Sequence, residues 1–227
     1  MRYLVLVLAA AVLAGCSPAD AQKAEDILRH AQQAQQTLSS ESFLMKLSFT
    51  YEGQSAEIDV QGAGYVKTGE FWMTMTGSVP GTAPFDLAIV RRGDLVRLRV
   101  NGRTEELPLA QAQQQLGGTA DQFAQLTELA RYVKDGSVSE SDFQGRPADK
   151  LVGVLDTQAL LASASGLFAQ AGLHLGDLRV VLFVPRDTHL VEAMLADVTA
   201  SAGGKSVAMH LSLGITGVDQ PVTFPTL

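Results

Sequence analysis

Phe43-Leu44-Met45-Lys46-Leu47-Ser48-Phe49-Thr50-Tyr51 and Ala56-Glu57-Ile58-Asp59-Val60-Gln61, separated by Glu52-Gly53-Gln54, decide how this chain folds. In the first run, apolar Phe43, Met45, Leu47, Phe49 and Tyr51 alternate with Leu44, Lys46, Ser48 and Thr50. In the second, Ala56, Ile58 and Val60 alternate with Glu57, Asp59 and Gln61. A period of two sends successive side chains to opposite faces of a strand, and a glycine-centred break between two such runs predicts a hairpin.

The same pattern continues outward. Thr68-Gly69 turns the chain into Phe71-Trp72-Met73-Thr74-Met75-Thr76. A loop over Val79-Pro80-Gly81-Thr82-Ala83-Pro84 leads to Phe85-Asp86-Leu87-Ala88-Ile89-Val90. Val96-Arg97-Leu98-Arg99-Val100 meets Asn101-Gly102, the strongest short-range hairpin signal, and Arg103 to Leu107 returns. Residues 42–107 therefore predict a meander of about six antiparallel strands, each with one apolar and one polar face. Before it, Ala24, Ile27, Leu28, Ala31, Ala34 and Leu38 recur at helical spacing, so Asp20 to Leu38 is predicted to be a helix capped by Asp20.

After the meander, helices are predicted over Leu109–Leu116, over the stretch from Thr119 or Asp121 to Val133, and over Gln158–Gln170. Asp135-Gly136 ends the second, Val138–Asp142 is an edge strand, and Gly145-Arg146-Pro147 turns into a strand over 148–155. Leu178–Val184, Leu190–Thr199 and Val207–Leu213 close the chain as strands, followed by the extended tail Pro221-Val222-Thr223-Phe224-Pro225. Helices between two strand groups, with no linker or repeat, suit a single α+β domain with helices on one face of the sheet.

The N-terminus reads as an address. Arg2 precedes an uncharged run from Leu4 to Leu13, the length of a signal-peptide core and too short for a bilayer of ~30 Å. Leu13-Ala14-Gly15-Cys16 then resembles a bacterial lipobox, in which the cysteine becomes acylated. On this reading residues 1–15 are removed, Cys16 is the lipid anchor, residues 16–22 form a short tether and residues 23–227 form the domain. Each buried acyl methylene contributes about 0.8 kcal/mol, so two or three chains hold the protein to the outer face of a cell membrane.

Composition excludes several functions. The chain has 227 residues, of which 46% are hydrophobic and 18% charged, with a net charge of −7, so it lacks the basic surface that nucleic acid requires. A single cysteine allows neither an internal disulfide nor a cysteine-based zinc cluster. His30, His174, His189 and His210 show no metal-ligand spacing, and neither HExxH nor GxSxG occurs. Gly203-Gly204-Lys205-Ser206 matches the end of a phosphate loop, but the glycine required upstream is Thr199, and the segment lies between strands. No catalytic residues, metal or cofactor are assigned. Arg97 and Arg99 share one strand face, suited either to an anionic headgroup or simply to solvent.

The chain does carry soft apolar side chains on long strands. Methionine fills irregular volumes and tolerates ligands of varied shape. Two readings stand: an ordinary core between sheet and helices, or a sheet around an apolar cavity with the helices as its lid. In the register that points Phe43 and Ile58 inward, the candidate cavity residues are Phe43, Met45, Leu47, Phe49, Ile58, Val60, Phe71, Met73, Met75, Leu87, Ile89 and Leu98, with Leu126 and Leu129 from the second central helix.

The organisation resembles the LppX/LprG family of lipoproteins, whose fold is similar to that of the LolA/LolB carriers. The resemblance rests on Leu13-Ala14-Gly15-Cys16, the following helix, Ser42-Phe43-Leu44-Met45-Lys46-Leu47, and Gly62-Ala63-Gly64-Tyr65-Val66. It extends to Gly145-Arg146-Pro147-Ala148-Asp149-Lys150-Leu151-Val152-Gly153 and to the ending from Leu211-Ser212-Leu213-Gly214 to Gln220-Pro221-Val222-Thr223-Phe224-Pro225. It implies a curved antiparallel half-barrel sheet with helices on its concave face and an apolar cavity for the acyl chains of lipids or glycolipids. It also implies a monomeric, non-enzymatic carrier at the cell envelope, with an envelope lipid transporter as partner. The alternative is a non-catalytic interaction or signalling module with the same fold; an envelope hydrolase would need Ser, His and a carboxylate converging in one pocket.

Overall fold

The computed structural model describes residues 18–51, 53–78, 83–116, 133–155, 174–202 and 205–227. Helix α1 (Pro18–Thr37) precedes strands β1 (Ser40–Tyr51), β2 (Gln54–Tyr65), β3 (Phe71–Ser78), β4 (Phe85–Arg92), β5 (Leu95–Val100) and β6 (Arg103–Pro108). Helix α2 (Leu109–Leu116) follows, then β7 (Val133–Phe143), β8 (Arg146–Leu155), β9 (His174–Pro185), β10 (Ala193–Ala202) and β11 (Lys205–Val218). All eleven strands form one open sheet in the order β6-β5-β4-β3-β2-β1-β11-β10-β9-β8-β7. Two meanders thus run outward from the centre, where the first strand pairs antiparallel with the last.

Local chemistry accounts for most of the boundaries. Proline is favoured in the first turn of a helix, where its missing N–H has no intrahelical partner to lose, and α1 begins at Pro18 rather than at Asp20. Residues 18–22, expected in the tether, are helical. Asn101 (φ 47) and Gly102 (φ 81) both adopt the left-handed conformation that a tight hairpin requires. Asn101 also closes its loop onto β4: its N–H donates to the Asp86 carbonyl at 2.8 Å and its Oδ1 accepts from the Asp86 N–H at 2.9 Å.

Several sequence-based boundaries are corrected. Val133 lies in a strand, and β7 runs through Asp135-Gly136, where the sequence predicts a helix end; a register shift between Lys134 and Ser137 absorbs the irregularity. The turn before β8 is Gln144-Gly145 (φ 55 and 78), so Arg146 and Pro147 already pair with Phe143 and Asp142. β9 begins at His174, before Leu178, and β10 begins at Ala193, because His189 (φ 55) and the residues after it form the connection instead of a strand. β11 extends to Val218, well past Leu213. The helices predicted over 119–133 and 158–170, the Gly203-Gly204 turn and the whole of 1–17 fall outside the described residues, apart from Val133.

One face of the sheet is predominantly apolar, with Arg91 on β4 and Arg103 and Glu105 on edge strand β6 among the charged residues it carries. Over β7–β11 it is covered by α1: buried Ala24 and Ala31 pack with Leu151, Leu182, Val184 and Met194. Over β1–β6 a second cluster joins Val60, Met73, Ile89, Val96 and Leu107 to Ala112 of α2. The opposite face is mostly charged or hydroxylated, as expected of an antiparallel sheet wet on one side. One region departs from that pattern. The C-terminal tail crosses the polar face, placing Phe224 with its ring centroid 6.2 Å from that of Tyr65 and 5.0 Å from the Arg92 guanidinium carbon.

Candidate functional site: the apolar face of the sheet

Directly paired residues in an antiparallel ladder share a face, so the register alone locates the side chains. One row of paired residues crosses ten strands: Val100, Leu87, Met75, Val60, Met45, Leu213, Met194, Leu182, Leu151 and Val138. Every member is apolar. A neighbouring row runs Leu98, Ile89, Met73, Gly62 and Phe43 to Ile215. A third joins Ile58, Leu47, Leu211, Ala196 and Val180. Phe49 and Phe71 lie on the same face, opposite Ala56 and Gly64.

All twelve strand residues predicted as candidate cavity residues therefore lie on one face. Leu126, Leu129 and Cys16 lie outside the described residues. Within the twelve, Val60, Met73 and Ile89 are buried, whereas Phe43, Met45, Leu47, Phe49, Ile58, Phe71, Met75, Leu87 and Leu98 are only half-buried. The two halves of the face thus differ. Under α1 the row runs through buried Met194, Leu182 and Leu151; over β1–β5 large side chains keep substantial accessible surface.

Sequence reasoning missed how the phenylalanines sit. Phe43 is paired with Gly62, Phe71 with Gly64 and Phe85 with Gly77. A Cβ added at Gly62 would lie 2.8 Å from Phe43 Cζ, one at Gly64 would lie 2.7 Å from Phe71 Cβ, and one at Gly77 would lie 2.7 Å from Phe85 Cζ. Phe43 and Phe85 each lay a ring over the glycine across from it, a pairing that protects an otherwise bare stretch of backbone, whereas Gly64 is approached by Phe71 through Cβ and Cα. The signal was present as a glycine in each strand facing an aromatic, but only the register connects them.

Of the two settings open to Arg97 and Arg99, the solvated polar face is the one observed. Both arginines point to that face and are engaged there: Arg97 Nε lies 2.7 Å from Glu106 Oε2 and Arg99 Nε 3.4 Å from Asp86 Oδ1. Neither reaches the apolar face, because Val96 and Leu98 occupy the alternating positions. Beside them, Val90, Arg92, Leu95, Arg97, Glu106 and the tail residues Phe224, Pro225 and Thr226 enclose a shallow groove of ≈ 320 Å³.

The same face brings Ser48, His210 and Asp197 into one row across β1, β11 and β10. His210 Nδ1 lies 2.6 Å from Asp197 Oδ1, and all three residues line one groove of ≈ 380 Å³. Acyl-transfer chemistry additionally needs a nucleophile–base hydrogen bond and free donors for the oxyanion. Ser48 makes no hydrogen bond to His210 among the described residues. Each of the three strands is paired on both sides, which commits its backbone N–H groups to the ladder. The His210 and Asp197 side chains are also open to water, at 51% and 69% exposure. The geometry is that of a solvated cross-strand pair. Among the described residues no group of three or more His, Cys, Asp or Glu side chains is placed to hold a metal ion, and no described helix is long and apolar enough to cross a membrane.

No protein-family model matches the chain, and no curated protein matches its sequence. Among solved structures it is similar to LprF from Mycobacterium bovis, at 16% identity and a TM-score of 0.59, over 93% of this chain and 98% of that one. It is also similar to the lipoprotein LppX from Mycobacterium tuberculosis, at 11% identity and a TM-score of 0.51, over 89% of this chain and 98% of that one. The chain has the LppX/LprG-type fold: an open antiparallel sheet with one apolar face, matched along nearly its whole length.

Proposed function

We propose that this protein is a membrane-anchored lipoprotein that binds the acyl chains of lipids or glycolipids against its apolar sheet face and carries them across the cell envelope. The observation that supports it most is the row of ten apolar side chains crossing ten strands, half-covered over β1–β5. A sixteen-carbon chain would lose on the order of 12 kcal/mol on entering water, and an apolar face of this extent offsets that cost. Met45, Met73 and Met75 suit cargo of varied chain shape. Acylation of Cys16 holds the carrier at the extracytoplasmic face of the membrane, and the carrier acts as a monomer that takes lipid from, or hands it to, an envelope transporter. The mechanism is physical partition with no covalent step.

The test is native mass spectrometry of the full chain carrying Cys16→Ala, produced in a lipid-containing host. Lipid bound in one-to-one ratio is expected. A protein that stays lipid-free there and after incubation with phospholipid vesicles would sink this reading and favour an interaction module with the same fold.

A further inference from the structure

Arg91 is a cation set between apolar partners on this face. It is paired with Phe71 on β3 and Val96 on β5, and lies two residues along β4 from buried Ile89. Its neighbours in the register are thus an aromatic ring and an aliphatic side chain. The guanidinium rests over the β2–β3 turn, where a Cβ on Gly69 would meet Nη1 at 3.1 Å and Cζ at 3.5 Å. Its Nε is buried and has no hydrogen-bond partner. No carboxylate among the described residues pairs with it: nearby Glu70 instead accepts the Gly93 N–H at 3.0 Å, and the other arginines of this sheet half with nearby acids, Arg97 and Arg99, pair with Glu106 and Asp86.

A permanently charged fork on an apolar surface, with a buried donor left unmade, is costly unless an acceptor arrives. Arginine suits a planar or tetrahedral oxyanion because its parallel N–H groups donate in pairs. The position also fits. Arg91 sits at the end of the strands where the β2–β3 turn marks the rim, and the rows through Ile89 and Leu87 lead away from it. We infer that Arg91 receives the oxyanion of an anionic lipid headgroup, phosphate or carboxylate, while the acyl chain lies along those rows. This deepens the lipid-binding reading above and rests on it.

The experiment uses the full chain carrying Cys16→Ala, freed of lipid, with three probes: dioleoyl phosphatidylglycerol, dioleoylglycerol and inorganic phosphate. Retained lipid is quantified after gel filtration, and thermal unfolding confirms that each variant is folded. Wild-type protein is expected to favour phosphatidylglycerol over dioleoylglycerol by about tenfold, the worth of a charge-assisted hydrogen bond. Arg91→Met is expected to bind both equally and Arg91→Lys to keep part of the preference, with inorganic phosphate not displacing lipid. Equal retention of the two lipids by the wild-type protein, or an undiminished preference in folded Arg91→Met, overturns the inference and leaves acyl binding standing. Displacement by inorganic phosphate assigns Arg91 to a free anion and overturns the headgroup assignment. Failure to retain either lipid removes both readings together.

Discussion

Asp219 and Ser39, 180 residues apart in sequence, are joined by two hydrogen bonds: the Ser39 N–H and Oγ–H both donate to Asp219 Oδ1, at 2.7 and 2.8 Å. The Asp219 N–H in turn donates to the Ser40 carbonyl at 2.9 Å, and Ser40 Oγ–H donates to the Gln220 carbonyl at 2.6 Å. This clasp fixes where the tail leaves β11 and sends it over the polar face toward Tyr65 and Arg92. The Ser39 donors hold the Asp219 carboxyl below the usual aspartate range. A depressed folded-state value contributes stability above the unfolded value and loses it as pH falls through the folded one. The tail is therefore expected to loosen below about pH 4. Asp219→Ala should release it already at neutral pH. Hydrogen exchange of the Val222 amide, which donates to Tyr65 Oη at 3.3 Å, reports the change; unchanged protection in Asp219→Ala would show the clasp to be dispensable.

Glu41 behaves in the opposite sense. Burial pushes its carboxyl up, and the hydrogen bond from Gln35 Nε2 only partly opposes that. A raised folded-state value favours folding at low pH and loses that contribution as pH rises through it. Glu41→Gln is expected to stabilise the protein at pH 7 and to make no difference near pH 4. Denaturant midpoints at the two pH values check it.

Core and surface positions of the same sheet should separate cleanly. Met73 is 2% exposed and packs with Val60 and Ile89, whereas Leu44 is 50% exposed on the polar face. Met73→Ala is expected to cost about 2–4 kcal/mol, and Leu44→Ala less than about 0.5 kcal/mol. Urea unfolding measures both. A loss at Met73 no larger than at Leu44 would mean that the apolar face carries little of the stability.

Gly62 is a tightly constrained glycine of the site. A Cβ there would lie 2.7 Å from the Trp72 carbonyl oxygen as well as against the Phe43 ring. The ring can shift, but a ladder carbonyl cannot do so without disturbing its neighbours. Gly62→Ala is expected to cost about 1–3 kcal/mol as an overpacking change, and Gly62→Ala with Phe43→Leu should recover only the ring's share. The emission of Trp72, the only tryptophan, offers a local readout.

Half-buried positions separate function from folding. Met75 lies in the ten-strand row and retains accessible surface. Met75→Glu is expected to abolish retention of dioleoyl lipids while leaving a cooperative unfolding transition, because an unpaired carboxylate on an acyl-binding surface must be desolvated when cargo arrives. Full retention of lipid by this variant would argue that cargo does not lie over β3.

The meanders were legible because their signals are local. The alternation through Phe43 to Tyr51 and the Asn101-Gly102 turn each depend on residues next to one another, and the same alternation places all twelve strand candidates on one face. The features that were not legible depend on pairing between distant segments. Nothing near Phe43 announces Gly62 as its partner or Ile215 as its other neighbour, and nothing near Phe224 announces Tyr65. The pairing of β1 with β11 has no local signal at all, so the row of Ser48, His210 and Asp197 could not be read from the chain. Arg91 escaped notice for a related reason: as part of Arg91-Arg92 it reads as a charged strand end, and only its partners Phe71 and Val96 show that it faces the apolar side.

The central seam between β1 and β11 also has a kinetic meaning. During synthesis one border of β1 must wait, its donors and acceptors unclaimed, until Lys205–Val218 have been made more than 150 residues later. Contacts this remote in sequence slow folding and leave sticky intermediates in the meantime. Truncations that remove β11 should therefore yield two separate half-sheets, each with a raw border and prone to associate with its neighbours, instead of a slightly smaller native protein.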